Sequence, residues 1–121
     1  MTKIRNSKQY DLEDRTFEFA KSVALYVKQL PRNISNLEYG KQAVDASGSV
    51  GANCIEANEA LGKKDFLMRI KIWRKEGKES AYSLRLIIET NDKGCTQEGI
   101  RLLNEAVELR KIFSSILAKS G

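Results

Sequence analysis

The chain has 121 residues, 41% hydrophobic and 31% charged, with one proline, no histidine and a formal net charge of +5. That length builds one domain around one core and is too short for two. Without histidine the commonest general base is missing, together with histidine-bearing metal sites and every serine or cysteine nucleophile that relies on an imidazole.

Neither a G-x-x-x-x-G-K-[ST] loop nor a G-x-G-x-x-G turn is present to cradle phosphate. The carboxylate pair Glu56 and Glu59 falls in the middle of a predicted helix among small residues. A catalytic reading therefore lacks parts, and the expectation is a protein that is not an enzyme. The two cysteines, Cys54 and Cys95, form no C-x-x-C pair. No zinc site, other metal centre, disulfide framework or cofactor is expected. No apolar run approaches the roughly 18 residues of a membrane span, and the polar start MTKIRNSKQYDLED leads into no signal-peptide segment. The expected location is the cytoplasm.

Residues 1–10 read as a polar, basic lead-in without periodicity, with Lys3, Arg5 and Lys8 its charges. Residues 11–118 read as four helices, and residues 119–121 as a frayed end. Asp11 is placed to cap the first helix, with Glu13 and Asp14 in its first turn. Thr16, Phe17, Ala20, Val23, Ala24, Val27 and Leu30 form its expected core row, and Pro31 stops it. Leu12, Phe19 and Tyr26 make a second row beside the first.

Ser35 and Glu38 have capping-box spacing, with Ile34 and Tyr39 as the matching hydrophobic staple. The helix they open carries mostly small core residues, Ala43, Ala46, Ser47, Val50, Cys54 and Ala57, and is expected to reach Leu61. Gly48 and Gly51 each cost about 1 kcal/mol relative to alanine in a helix interior, so a closely packed neighbour or a local irregularity is expected there. Leu37, Val44 and Ile55 form its extra apolar row.

After a turn over Leu61–Lys64, a long basic helix runs to about Thr90. Phe66, Ile70, Trp73, Gly77, Ser80 and Leu84 alternate four and three apart and mark its core face. At about 100° per residue, Lys64, Lys71, Arg74, Lys75 and Lys78 fall in a separate arc on one flank. Lys64, Lys71, Lys78 and Arg85 are spaced by sevens. Asp65, Glu76 and Glu79 occupy the other flank, where Arg69 is expected to be neutralised. From Lys63 to Lys78 there are seven basic and two acidic residues, a balance of +5 that equals the charge of the whole chain. Charge of this kind usually marks a solvated face; its one-sided placement here points to an anionic ligand.

Asn91–Gly94 is turn chemistry, and Thr96 is placed to cap a fourth helix. That helix carries Leu103, Ala106, Val107, Phe113 and Leu117, with Leu102, Leu109 and Ile116 as an added stripe. Arg110 projects into its apolar arc and requires a carboxylate, for which Glu56 or Glu59 is the candidate. Four helices on short connections predict an all-α, antiparallel up-and-down four-helix bundle. Each helix carries an extra apolar row. Leu12, Phe19, Tyr26, Met68, Ile72, Leu86, Leu102, Leu109 and Ile116 are therefore the expected contacts between copies of the chain, the bland alternative being that they widen the core.

Three segments, RTFEFAKSVALYVKQLPRNI, SGSVGANCIEANEALGKKDFLMRIKI and KEGKESAYSLRLI, covering about Arg15 to Ile88, resemble a known family. It comprises the four-helix bundles encoded by intervening sequences in bacterial 23S rRNA genes, related to accessory proteins of diversity-generating retroelements. The resemblance implies a bundle assembling as a cyclic homopentamer without established catalysis; the retroelement branch binds nucleic acid and a reverse transcriptase, a partner not assigned to this chain. Ser49, Gly51, Asn53 and Glu56 stand at the family's SVGAN-x-x-E signature, Lys64, Asp65 and Phe66 at its KDF, and Glu79 at a usual glutamate. All are read as mainly architectural. Gly62, where a capping serine is usual, and Trp73 and Gly77 on the core row depart from the pattern.

Two functions follow. One is an oligomer that binds RNA or DNA backbone through the lysine arc. The other is an oligomeric scaffold for a protein partner, in which the arc serves solubility or an acidic surface.

Overall fold

The computed structural model describes the backbone of residues 7–120 and the side chains of residues 11–120. Helices α1 (Ser7–Lys28), α2 (Ile34–Asn58), α3 (Lys63–Thr90) and α4 (Gln97–Ser120) account for almost all of them, with a 3₁₀ turn at Lys93–Cys95 before α4. Contacts fix the directions. Thr16 and Val27 of α1 meet Gly51 and Gly40 of α2, and Gly77 and Ile88 of α3 meet Phe113 and Gly99 of α4. Arg69 of α3 reaches Glu56 of α2, and Arg15 of α1 reaches Glu105 of α4. Each rise in one helix is matched by a fall in its neighbour, so the four form the predicted up-and-down bundle.

The helix ends differ from expectation in several places. Helix α1 begins at Ser7, so Asp11 lies within it and caps nothing; residues 1–6 of the expected lead-in lie outside the described residues. Asn33, not Ser35, caps α2, its side-chain oxygen accepting the Asn36 backbone N–H at 2.8 Å. The staple does not form, because Ile34 points into solvent. Helix α2 stops at Asn58, three residues early, and Leu61 is 99% exposed in the connection. Gly62 caps α3 with no side-chain bond, as its lack of a hydroxyl predicts. Thr96 directs its hydroxyl back to the Lys93 carbonyl at 3.0 Å and not into α4, and α4 stays helical through Ser120.

The rotational setting of α1 corrects the largest set of sequence-based expectations. Leu12, Thr16, Phe19, Val23, Tyr26 and Leu30, spaced four and three apart, face inward, whereas Phe17 is 62% exposed. Phe19 and Tyr26, expected between copies, are 3% and 5% exposed and belong to this chain's own core, as do Leu102 and Leu109 of α4. Leu12 and Ile116 are half-buried against that core. Ile72 and Leu86 are half-covered, and of the nine expected interface residues only Met68, at 52%, is exposed. Phe19 and Tyr26 took the centre together with Thr16, Val23 and Leu30 of the first row, because burying the larger side chains removes more apolar area from water.

Glycines set two helix crossings. A Cβ on Gly40 would lie 2.6 Å from Val27 Cγ1, and one on Gly99 would run into the Tyr26 hydroxyl. A Cβ placed on Gly51 would meet the Thr16 carbonyl at an ordinary 3.9 Å, and one placed on Gly48 would meet nothing within 4 Å. Close packing therefore explains neither of the two glycines at which it was expected. Trp73 and Gly77, the departures from family pattern, belong together: the indole stacks on Phe113 with centroids 3.9 Å apart, and the bare Gly77 leaves room for that ring.

Buried polar groups are mostly paired. The Asn36 and Asn91 amides bond each other reciprocally at 2.9 and 2.8 Å, and each also donates to a backbone carbonyl, of Pro31 and Ile87, tying the start of α2 to the end of α3. The Tyr26 hydroxyl donates to the Cys95 carbonyl at 2.8 Å, and burial pushes its pKa up. Cys54 and Cys95 are both free. Burial pushes the Cys54 thiol up to about 12, which keeps it protonated and unreactive at neutral pH.

Candidate nucleic-acid interface

The basic arc is held by the rigid middle of α3. The core row Ile70, Trp73, Gly77, Ser80 and Leu84 is buried, and locking that face inward sets the direction of every other position on the helix. Lys64, Lys71, Lys75 and Lys78 are exposed and Arg74 is half-covered. From Lys64 to Lys78 the arc runs about 21 Å along the helix axis at 1.5 Å per residue.

Among the described residues, none of the five cations is in an ion pair. Of the α3 cations it is Arg69 that is neutralised: its guanidinium lies 3.7 Å from Asp65 and 4.0 Å from Glu56. Glu56 is thus an exposed ion-pair partner and not a group that satisfies the core, while Asn53 donates to the Ser49 carbonyl one turn back at 2.9 Å. Glu76 is held above the usual carboxylate range, by partial burial first and then by the neighbouring Glu79 charge. Glu76 and Glu79 thus repel each other, and Lys75 acts on Glu76 as a weaker, opposing charge. Lys63 and Lys64 in the first turn of α3 also work against the helix dipole and add to its positive end.

The fourth helix enlarges this face. Arg110 does not meet Glu56 or Glu59; among the described residues it has no carboxylate partner. It lines a shallow groove of about 670 Å³ between α3 and α4 with Arg74, Lys78, Lys111, Ser114 and Ser115. The reason is the Gly77 crossing, where an added Cβ would be 3.9 Å from Arg110 Cβ. Sequence reasoning placed Arg110 in the middle of an apolar arc. Its signal was available in Gly77, which marks where α4 comes close enough to set an arginine beside Arg74 and Lys78.

A second concavity, of about 700 Å³, opens where the start of α1 meets the end of α4, with Leu12, Phe66, Ile70, Trp73 and Ile116 among its walls. Among the described residues the Trp73 indole N–H is buried without a partner. Among the described residues no group of three or more metal-ligating side chains comes together, and no helix is long and apolar enough to cross a membrane.

A four-helix bundle with a carboxylate-free basic groove on one side is the class that fold and surface define. The sequence model of the 23S rRNA-intervening sequence protein family matches residues 8–115, and the chain belongs to that family. A solved structure of a protein of unknown function from the S23 ribosomal protein family of Bacteroides thetaiotaomicron is 29% identical. It aligns over 88% of this chain and 97% of its own, with a TM-score of 0.72. No curated protein matches the chain.

Proposed function

We propose that this protein is a non-enzymatic homo-oligomer that binds the backbone of RNA or DNA through the basic arc of α3. One observation carries the reading: five cations share a face of one rigid helix, and none is paired with a carboxylate among the described residues. Phosphate contacts position a ligand without reading its sequence, so broad recognition is expected. The exposed Tyr82 is the one aromatic near the arc, which gives little to stack single-stranded bases on.

Self-association multiplies such weak contacts. Exposed apolar residues available for it include Leu37, Val44 and Ile55 of α2, Phe17 of α1 and Met68 of α3. In the cyclic homopentamer that the family resemblance implies, the arc is repeated five times and the contacts add as avidity. The same apolar row favours a second reading, a scaffold whose α1/α2 face seats a protein partner while the lysines keep it soluble.

A binding titration against salt separates the two. Backbone binding gives a steep linear fall of log affinity with log salt, with a slope of about −0.9 per duplex phosphate neutralised. Undetectable affinity for both nucleic acids at low salt leaves only the scaffold.

A further inference from the structure

We infer that the α3–α4 groove at the Gly77 crossing is a phosphodiester-binding subsite, in which Arg110 of α4 works with Arg74 and Lys78 of α3 on the backbone of a bound nucleic acid. It rests on the function proposed above and adds to it a second helix and a defined seat. Three observations converge there. Arg74, Lys78 and Arg110 line one concavity, with Lys111 and the hydroxyls of Ser114 and Ser115 at its edge, and no carboxylate lines it. Arg74 and Arg110 are half-covered, the pattern of side chains whose stems lie along the helix surface with the charged head at its edge. The one carboxylate that pairs with any of these cations among the described residues is Glu108, 3.7 Å from Lys111.

The chemistry fits a phosphate oxygen better than a carboxylate surface. Two guanidinium groups and an ammonium supply many donors and no acceptor, and arginine forks match the paired oxygens of phosphate. Serine hydroxyls add neutral donors that cost nothing when the site is empty, since water satisfies them. The groove runs alongside the α3 arc, so a backbone seated on Arg110 continues towards Lys71 and Lys75. A flexible lysine row alone holds an anion as point charges; the crossing gives one place where it is held by geometry.

The test uses the full chain and whichever of duplex RNA and duplex DNA it binds better. Arg110→Gln is expected to weaken binding about tenfold and to reduce the salt slope by about 0.9, one phosphate, while Arg110→Lys keeps the slope and loses part of the affinity. Ser114→Asp, a carboxylate at the edge of the groove, is expected to weaken binding at least as much with an unchanged helical spectrum, and it decides the matter if Arg110→Gln fails to fold. Wild-type binding by Arg110→Gln and Ser114→Asp, alongside lost binding by Lys71→Glu with Lys78→Glu, overturns the subsite and leaves the α3 reading standing. Inorganic phosphate is the control. If it displaces the duplex below the concentration at which sodium chloride of equal ionic strength does, the groove takes the free ion and the proposal for a chain backbone falls. Absence of any duplex binding by the wild type removes both.

Discussion

Two grooves run along this bundle, and they use the same glycine device to opposite ends. Between α1 and α2, Gly40 lets Val27 approach more closely than any Cβ permits, and Leu37 and Val44 line the groove outside it. Charge there is partly compensated: Lys28, Arg32 and Lys41 line it with one carboxylate, Asp45, which pairs with Lys41 at 3.2 Å. Between α3 and α4, Gly77 admits Phe113 at ordinary contact, and the groove above it is lined with cations and no carboxylate. Charge compensation within a face marks a surface that water or a second chain can cover cheaply. Its absence marks one held ready for an outside anion, because uncompensated like charges repel and do not help the fold.

The largest effect should come from reversing charge along the α3 arc that borders the second groove. Lys71→Glu with Lys78→Glu is expected to cost at least about 100-fold in nucleic-acid affinity, the scale on which removing several phosphate interactions at once weakens binding. Both side chains are exposed, so helicity and oligomer size should persist. Retained affinity in a filter-binding assay would move the site elsewhere, for instance to Lys3, Arg5 and Lys8.

The α1/α2 side is tested by charging exposed apolar residues of α2, Val44 at the first groove and Ile55 beyond it. Val44→Asp with Ile55→Asp is expected to shift an oligomer to monomer by light scattering with the helical spectrum intact, whereas Phe19→Asp buries a charge and should unfold the chain at a cost of several kcal/mol. A wild-type protein that scatters as a monomer already defeats the proposed assembly.

The glycines sharpen the contrast further. Gly40→Ala forces Val27 to move and is expected to cost about 1–3 kcal/mol in urea unfolding, the usual range for overpacking. At Gly77 the added methyl meets Phe113 at 3.4 Å, a small adjustment, and alanine gains about 1 kcal/mol of helix propensity. The net change should be near zero; equal losses at both positions would mean that the two crossings are equally tight.

How much of this was legible in the sequence depended on what each residue is measured against. Helix number, order and approximate length followed from periodicity and from Pro31, Asn91 and Gly94. The α3 arc was readable because a helix sets its own angular frame, and Ile70, Trp73 and Leu84 fix which side is in. The exposure of Phe17 and the burial of Phe19 were not, since two adjacent apolar rows both satisfy helical spacing and only the neighbouring helices choose between them. Arg110 was misassigned for the same reason. Seen from α4 it needs a carboxylate; seen from the crossing it sits at an open edge, and that crossing is a property of two helices together.

The smallest expected effect lies on the flank of α3 that faces away from the lysines. Glu76 is partly covered and lies close to Glu79, so its carboxyl titrates above the usual range in the folded chain, with Lys75 opposing the shift weakly. A carboxyl whose folded pKa is raised contributes stability below its unfolded value and loses it as pH rises through the folded one. At neutral pH the ionised Glu76 is therefore a mild burden. Glu76→Gln removes it and should raise Tm by about 1–2 °C at pH 7, a shift that corresponds to a small fraction of the total stability. The gap between variant and wild type should close as pH falls through the carboxylate range, where the wild-type carboxyl becomes neutral. Glu98 titrates low because it bonds Arg101, and its loss on acidification is common to both proteins and cancels. A gap that stays constant with pH would mean that glutamine acts by packing, and that the two acids of this flank do not repel each other measurably.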